Sequence, residues 1–219
     1  GGRVARLKPP HWSEFPPADT YETEEQVYEA AKKLAKELIA VGINVNCAPM
    51  LDVRQPDAHD IVGDRAFSED KAIVASFGKA MAEGMMVEGV YPVIKHIPGH
   101  GRAMCDSHED LPKVCANRKE LEIDFHPFKE LKDMPFAMTA HIVYEALDPN
   151  NCATQSKKVI DIIRNEIGFK GMIMTDDLSM KALKGTFAER TQKSLDAGCD
   201  LILHCNGEMD EMVEIAGAI

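Results

Sequence analysis

The sequence predicts an α/β fold, a (β/α)8 barrel whose first strands lie outside this chain. Three observations predict it: short apolar runs alternate with helical patterns, chemically active residues follow each run, and five runs are visible where a closed barrel needs eight. The runs fall near 43–48, 90–94, 135–140, 171–175 and 199–204, with helical patterns at about 69–88, 118–132, 157–167 and 187–197 and another from about 208. Such an order makes the strands parallel, because a crossover helix returns the chain to the same end of the sheet. A doubly wound sheet would collect its polar signals mainly at one switch point, so signals after every run favour the barrel. Barrels of this kind usually take about 250 residues, and the expectation for these 219 is one catalytic barrel domain over 1–219 with roughly three βα units ahead of Gly1.

The individual elements follow from local chemistry. Residues 8–20 (KPPHWSEFPPADT) carry four prolines and no period, which reads as an extended surface loop. Val27, Ala30, Ala31, Leu34, Ala35, Leu38 and Ile39 then recur at helical spacing, Thr23 and Gln26 form a capping-box pair, and Gly42 supplies the stop. Met81, Met85 and Met86 share a helical face and read as core.

Composition removes several function classes. A net charge of -11 and no Lys/Arg run longer than two leave no electrostatic footprint for a phosphate backbone or an anionic membrane. No window approaches the about eighteen uninterrupted apolar residues of a membrane helix. The cysteines at 47, 105, 115, 152, 199 and 205 form no CxxC pair, and several sit in apolar segments as small hydrophobes. A reducing, cytoplasmic compartment is the expectation, with neither nucleic acid nor membrane as partner.

The richest segment runs from Lys95 to His108 (KHIPGHGRAMCDSH), directly after a buried run. Pro98, Gly99 and Gly101 prevent a helix, so this is a shaped loop able to present side chains from several directions. Asp106 and His108 are two apart and on an extended stretch share one side, where the carboxylate can orient or charge the imidazole as an acid/base dyad. His96, His100, His108 and Asp106 also have metal-ligand chemistry, but His96 and His100 would share a face only on a helix, and Pro98-Gly99 lie between them. No metal or organic cofactor is expected. The second constellation is 171–179 (GMIMTDDLS), an apolar strand ending in Asp176 and Asp177. A carboxylate there can attack an anomeric carbon, or it can cap the following turn. Both roles remain open to either aspartate on this pattern alone. His141 and Tyr144 follow the third run and read equally as cleft-lining or as core residues.

The motifs taken together resemble family 3 glycoside hydrolases, in the family's order: GGRVARL at 1–7, CAPMLDV at 47–53, GDRAF at 63–67, KHIPGHG through DSH, AHIVY at 140–144, MTDDLSM at 174–180 and SLDAGCDLIL at 194–203. The DSH element is similar to the β-N-acetylhexosaminidase branch, typified by the cytoplasmic β-N-acetylglucosaminidases of bacterial peptidoglycan recycling. The resemblance implies that Asp176 is the nucleophile and His108 the acid/base, with Asp106 supporting it. It also implies that Arg6, Arg65, Lys95 and His96 bind the sugar, a terminal non-reducing β-linked N-acetyl-hexosamine. The implied reaction is retaining hydrolysis. A glycoside phosphorylase, a metal-dependent barrel hydrolase and an inactive sugar-binding remnant are the alternatives.

Overall fold

The structure is a computed structural model, and it describes residues 5–55, 62–103 and 111–219. Asp106 and His108 lie outside the described residues. Five parallel strands form the main sheet: β1 (Val45–Asn46), β2 (Tyr91–Ile97), β4 (Phe136–Thr139), β6 (Met172–Asp177) and β7 (Leu201–Leu203), in the order β1-β2-β4-β6-β7. α1 (Glu24–Ala40) precedes the sheet; between the strands run α2 (Lys71–Met86), α3 (Arg118–Glu130), α4 (Lys157–Ile162) and α5 (Phe187–Ala197), with α6 (Met209–Ala216) after β7. Strand order follows chain order without reversal, as a barrel requires and a doubly wound sheet does not. The result is a parallel-sheet half-barrel with helices.

The sheet's central layer reads straight across the strands: Ile94 is in register with Ala137, and Ala137 with Ile173, all three fully buried. Val27 of α1, Val74 and Phe77 of α2, and Leu121, Phe125 and Phe128 of α3 belong to the same core cluster, so the apolar stripes of the helices face the sheet. α1 and α2 approach closely at Gly84, where an added Cβ would stand 2.5 Å from the Tyr28 carbonyl oxygen.

Caps explain where the helices begin. Thr23 accepts the Gln26 N–H at 3.2 Å, but the Gln26 side chain accepts from the Glu22 N–H at 2.9 Å rather than from Thr23, so the expected box is only half formed. Complete boxes open α3 at Asn117 with Glu120 and α5 at Thr186 with Glu189. Gly42, at φ +83, ends α1 as expected. The pattern at 157–167 divides into α4 and a π-helical turn, Ile163–Ile167, before Gly168 at φ +79. Met85 is fully buried, whereas Met86 is 37% exposed and faces away from the core.

Two features differ from the sequence pattern. The first run shortens to a two-residue β1, because the Ala48 N–H turns back to the Asn46 carbonyl at 2.8 Å instead of joining the ladder. The chain nonetheless stays beside β2, with Val93 N–H donating to the Ala48 carbonyl at 3.1 Å and Leu51 N–H to the Lys95 carbonyl at 2.6 Å. A second sheet pairs β3 (Lys113–Val114) with β5 (Val143–Tyr144) in parallel. Two-residue strands are too short to show a period.

Candidate active site

The predicted chemistry gathers at the C-terminal ends of β2 and β6. β2 reaches beyond the expected 94 to Ile97, and its register against β4 shifts between Lys95 and Ile97. A shift of this kind breaks alternation and re-aims side chains; here Lys95 and His96 are both partly exposed in succession. The Lys95–His96 peptide bond is cis, as is Ile97–Pro98. Beyond them, Gly101 packs against the backbone of Val53 so closely that no Cβ fits, and the Tyr144 hydroxyl donates to the Gly99 carbonyl at 2.7 Å. Tyr144 is therefore a buried strut for the loop, not a cleft residue.

Sequence reasoning gave no role to Asp52, which is fully buried. Its Oδ2 accepts His96 Nδ1–H at 2.7 Å, and its Oδ1 accepts the backbone N–H groups of His96 at 3.2 Å and His100 at 2.6 Å. Burial pushes this carboxyl up, but the two histidines and the His100 N–H outweigh burial and hold it at about 2. The available signal was a carboxylate closing CAPMLDV; its partner lies 44 residues away.

β6 ends in the two adjacent carboxylates, and their surroundings differ. Asp177 Oδ1 accepts the N–H groups of Ser179 at 2.9 Å and Cys205 at 3.1 Å, and its Oδ2 accepts the Ser179 hydroxyl at 2.6 Å. Its side chain caps the turn after β6 and ties it to the segment after β7. Asp176 Oδ1 accepts one bond, from the Asp177 N–H at 2.8 Å, and no described residue bonds its Oδ2. Burial raises the Asp176 carboxyl, while His96, His141, the Asp177 N–H and Lys95 lower it further, leaving it below the ordinary carboxylate range. The register shift between Met174 and Asp177 places it there, with Thr175 Oγ1 accepting the Leu203 N–H at 2.9 Å inside the irregular stretch.

His141 is fully buried beneath this pair. Its Nε2–H donates to the Asp177 carbonyl at 3.1 Å, and burial lowers its pKa, so the neutral ring accepts at Nδ1 from the Thr154 hydroxyl at 2.7 Å. It is a satisfied core histidine that ties β4's loop to the end of β6. Lys95 is lowered by burial and then by Arg65, and raised by Cys47, Asp176 and Asp52. Arg65, on a 3-10 turn (Gly63–Arg65), lines a cleft of about 280 Å³ with Lys95, Cys47, Asn46 and Met50. Arg6 is exposed and lines an adjoining cleft of about 340 Å³ with Glu37, Asn46 and, again, Lys95. Lys95 thus links the two arginines to Asp176 and His96. Among the described residues, no three or more His, Cys, Asp or Glu side chains gather as a metal site, and no helix is long and apolar enough to cross a membrane. Cys47, Cys115, Cys152, Cys199 and Cys205 are free, and Cys152 and Cys199 are buried as expected of small hydrophobes.

Comparison with known proteins places this arrangement. Residues 1–219 match the model of the glycosyl hydrolase family 3 N terminal domain. A β-hexosaminidase of Nitrosomonas eutropha is 38% identical over 178 residues, which cover 79% of this chain and 51% of that protein. A glycoside hydrolase family 3 β-N-acetylglucosaminidase from Paenibacillus superposes with a TM-score of 0.86 at 33% identity, over 92% of this chain and 39% of that one. NagZ from Neisseria gonorrhoeae, solved with N-trifluoroacetyl-D-glucosamine, superposes with a TM-score of 0.80 at 34% identity, over 89% of this chain and 60% of that one. This chain therefore spans between about two fifths and three fifths of the length of these proteins. With its strand order, its two chemically loaded strand ends and a match along its full length, the chain belongs to glycosyl hydrolase family 3, as an N-terminal domain of that family.

Proposed function

We propose that this chain is the catalytic unit of a retaining glycosidase that removes terminal non-reducing β-linked N-acetyl-hexosamine. Asp176 is the nucleophile. Its oxygen attacks the anomeric carbon, the bond to the leaving oxygen breaks, and His108 supplies that oxygen with a proton. His108 then takes a proton from water, the water oxygen displaces Asp176, and the sugar leaves with its configuration retained. Asp106 supports His108. Lys95, His96, Arg65 and Arg6 hold the sugar hydroxyls, for which forked guanidinium and ammonium donors are suited. No metal or organic cofactor takes part in these steps.

One observation carries the reading: of two adjacent carboxylates at a strand end, Asp177 accepts three hydrogen bonds, while Asp176 has an oxygen that no described residue bonds and is held ionised beside His96 and Lys95. The names of the relatives support the sugar class. A cytoplasmic role in recycling muropeptides is the biological setting we propose for it. The test is hydrolysis of an aryl N-acetyl-β-glucosaminide by the wild type and by Asp176→Ala. The variant is expected to lose at least about 10³-fold in kcat. Equal rates would refute the nucleophile, and an inverted first product seen by NMR would refute the mechanism.

A further inference from the structure

We propose that Asp52 is a positioning residue of this site, which sets the tautomer of His96 and aims its second ring nitrogen into the sugar cleft. The inference rests on the reading of His96 as a sugar-binding residue, but its central claim concerns the ring itself. A carboxylate accepts hydrogen bonds and donates none, so the 2.7 Å contact between Asp52 Oδ2 and His96 Nδ1 places the proton on Nδ1. Nε2 is then left facing away from Asp52 as a bare lone pair in the neutral ring. There it accepts from a sugar hydroxyl, a role that the ammonium of Lys95 beside it cannot fill.

The same carboxylate fixes the ring's position. Its other oxygen holds the backbone N–H groups of His96 and His100, at 3.2 and 2.6 Å, so main chain and imidazole are gripped by one buried group. The edge-on packing of the His96 and His100 rings, with centroids 5.4 Å apart, braces the other side. The low pKa of Asp52, about 2, keeps it an acceptor through the whole working range. A fully buried group that makes three bonds to His96 and His100, 44 and 48 residues away, does more than satisfy a turn.

Asp52→Asn separates positioning from packing. The amide is the same size, but with its oxygen kept on the two N–H groups its NH2 must face Nδ1. Nδ1 becomes an acceptor and the proton moves to Nε2, where it meets the sugar as a donor. Histidine-labelled protein, with the His96 signals assigned from their loss in His96→Gln, is examined by 15N NMR. With the spectra recorded at a pH high enough that the His96 ring carries one proton, the wild type is expected to show it at Nδ1 with Nε2 bare, and Asp52→Asn to show the reverse. In parallel, kcat/KM on the aryl N-acetyl-β-glucosaminide is expected to fall about 100-fold in Asp52→Asn, with an altered pH profile. A wild-type ring protonated at Nε2 overturns the proposal even if the variant fails to fold, and so does an unchanged tautomer in Asp52→Asn. If the wild type shows the expected tautomer but hydrolyses no glycoside, the glycosidase reading fails and the positioning of His96 stands.

Discussion

Asp176 and Asp177 are chemically identical neighbours, and only their hydrogen bonds separate them. Removing Asp177 strands the N–H groups of Ser179 and Cys205, so Asp177→Ala is expected to lower stability by about 1–3 kcal/mol in urea unfolding. Asp176→Asn is expected to cost less than Asp177→Ala, because the amide oxygen can still accept the Asp177 N–H and only the fold's preference for an ionised carboxylate is lost. The opposite ranking would exchange their roles. Asp52 adds a pH dependence. Its folded pKa, about 2, lies below its ordinary value of 3.8, so its contribution to stability is fully present above pH 3.8 and disappears as pH falls toward 2. Thermal melts through that window should show a shallower acid limb in Asp52→Asn than in the wild type. The resemblance pointed to Asp176, but the hydrogen bonds that separate the two were not legible in the sequence: MTDD carries the carboxylate pair but not Ser179 or Cys205 folding back on one of them.

Among the elements, the helices were the most readable, because their caps and apolar stripes are local. Thr186 and Glu189 close a complete box over α5, so Thr186→Ala is expected to cost about 1 kcal/mol. Gln26→Ala in α1 should cost much less, since the Gln26 side chain serves the exposed Glu22 N–H instead of the cap. Comparing the two variants by chemical denaturation checks the difference. The five strands of the main sheet were legible in order but not in extent, and the two-residue β3 and β5 were not legible at all. β2 and β6 both run past their apolar residues into charged ones, and in both the register shifts where the polar residues begin. An irregular stretch of ladder has no period of two to detect, yet it brings Lys95, His96 and Asp176 to one region.

Across the whole molecule, parallel pairing along β1-β2-β4-β6-β7 puts the C-terminal ends of these strands on the same side, so residues from 52 to 177 can share one site. The layer of Ile94, Ala137 and Ile173 supports it from below. Ile94→Ala should cost about 2–5 kcal/mol, with unfolding followed by circular dichroism, because the cavity would open between a central strand and its covering helices. The same order explains why Lys95 stands in both clefts: it leaves a strand flanked by β1 on one side and β4 on the other.

Spacing over a few residues was enough to read the alternation of strand and helix, the start of α1 at Thr23 and its stop at Gly42, and the strand ends at which reactive residues collect. The sequence's motifs also carried the family. Tertiary structure alone decided that Asp177 is occupied while no described residue bonds the second oxygen of Asp176, that His141 and Tyr144 are struts, and that Asp52 holds His96. Each of those outcomes depends on groups between 13 and 45 residues apart reaching hydrogen-bond distance. Local periodicity sets which way a side chain points, and only the folded chain sets what it meets.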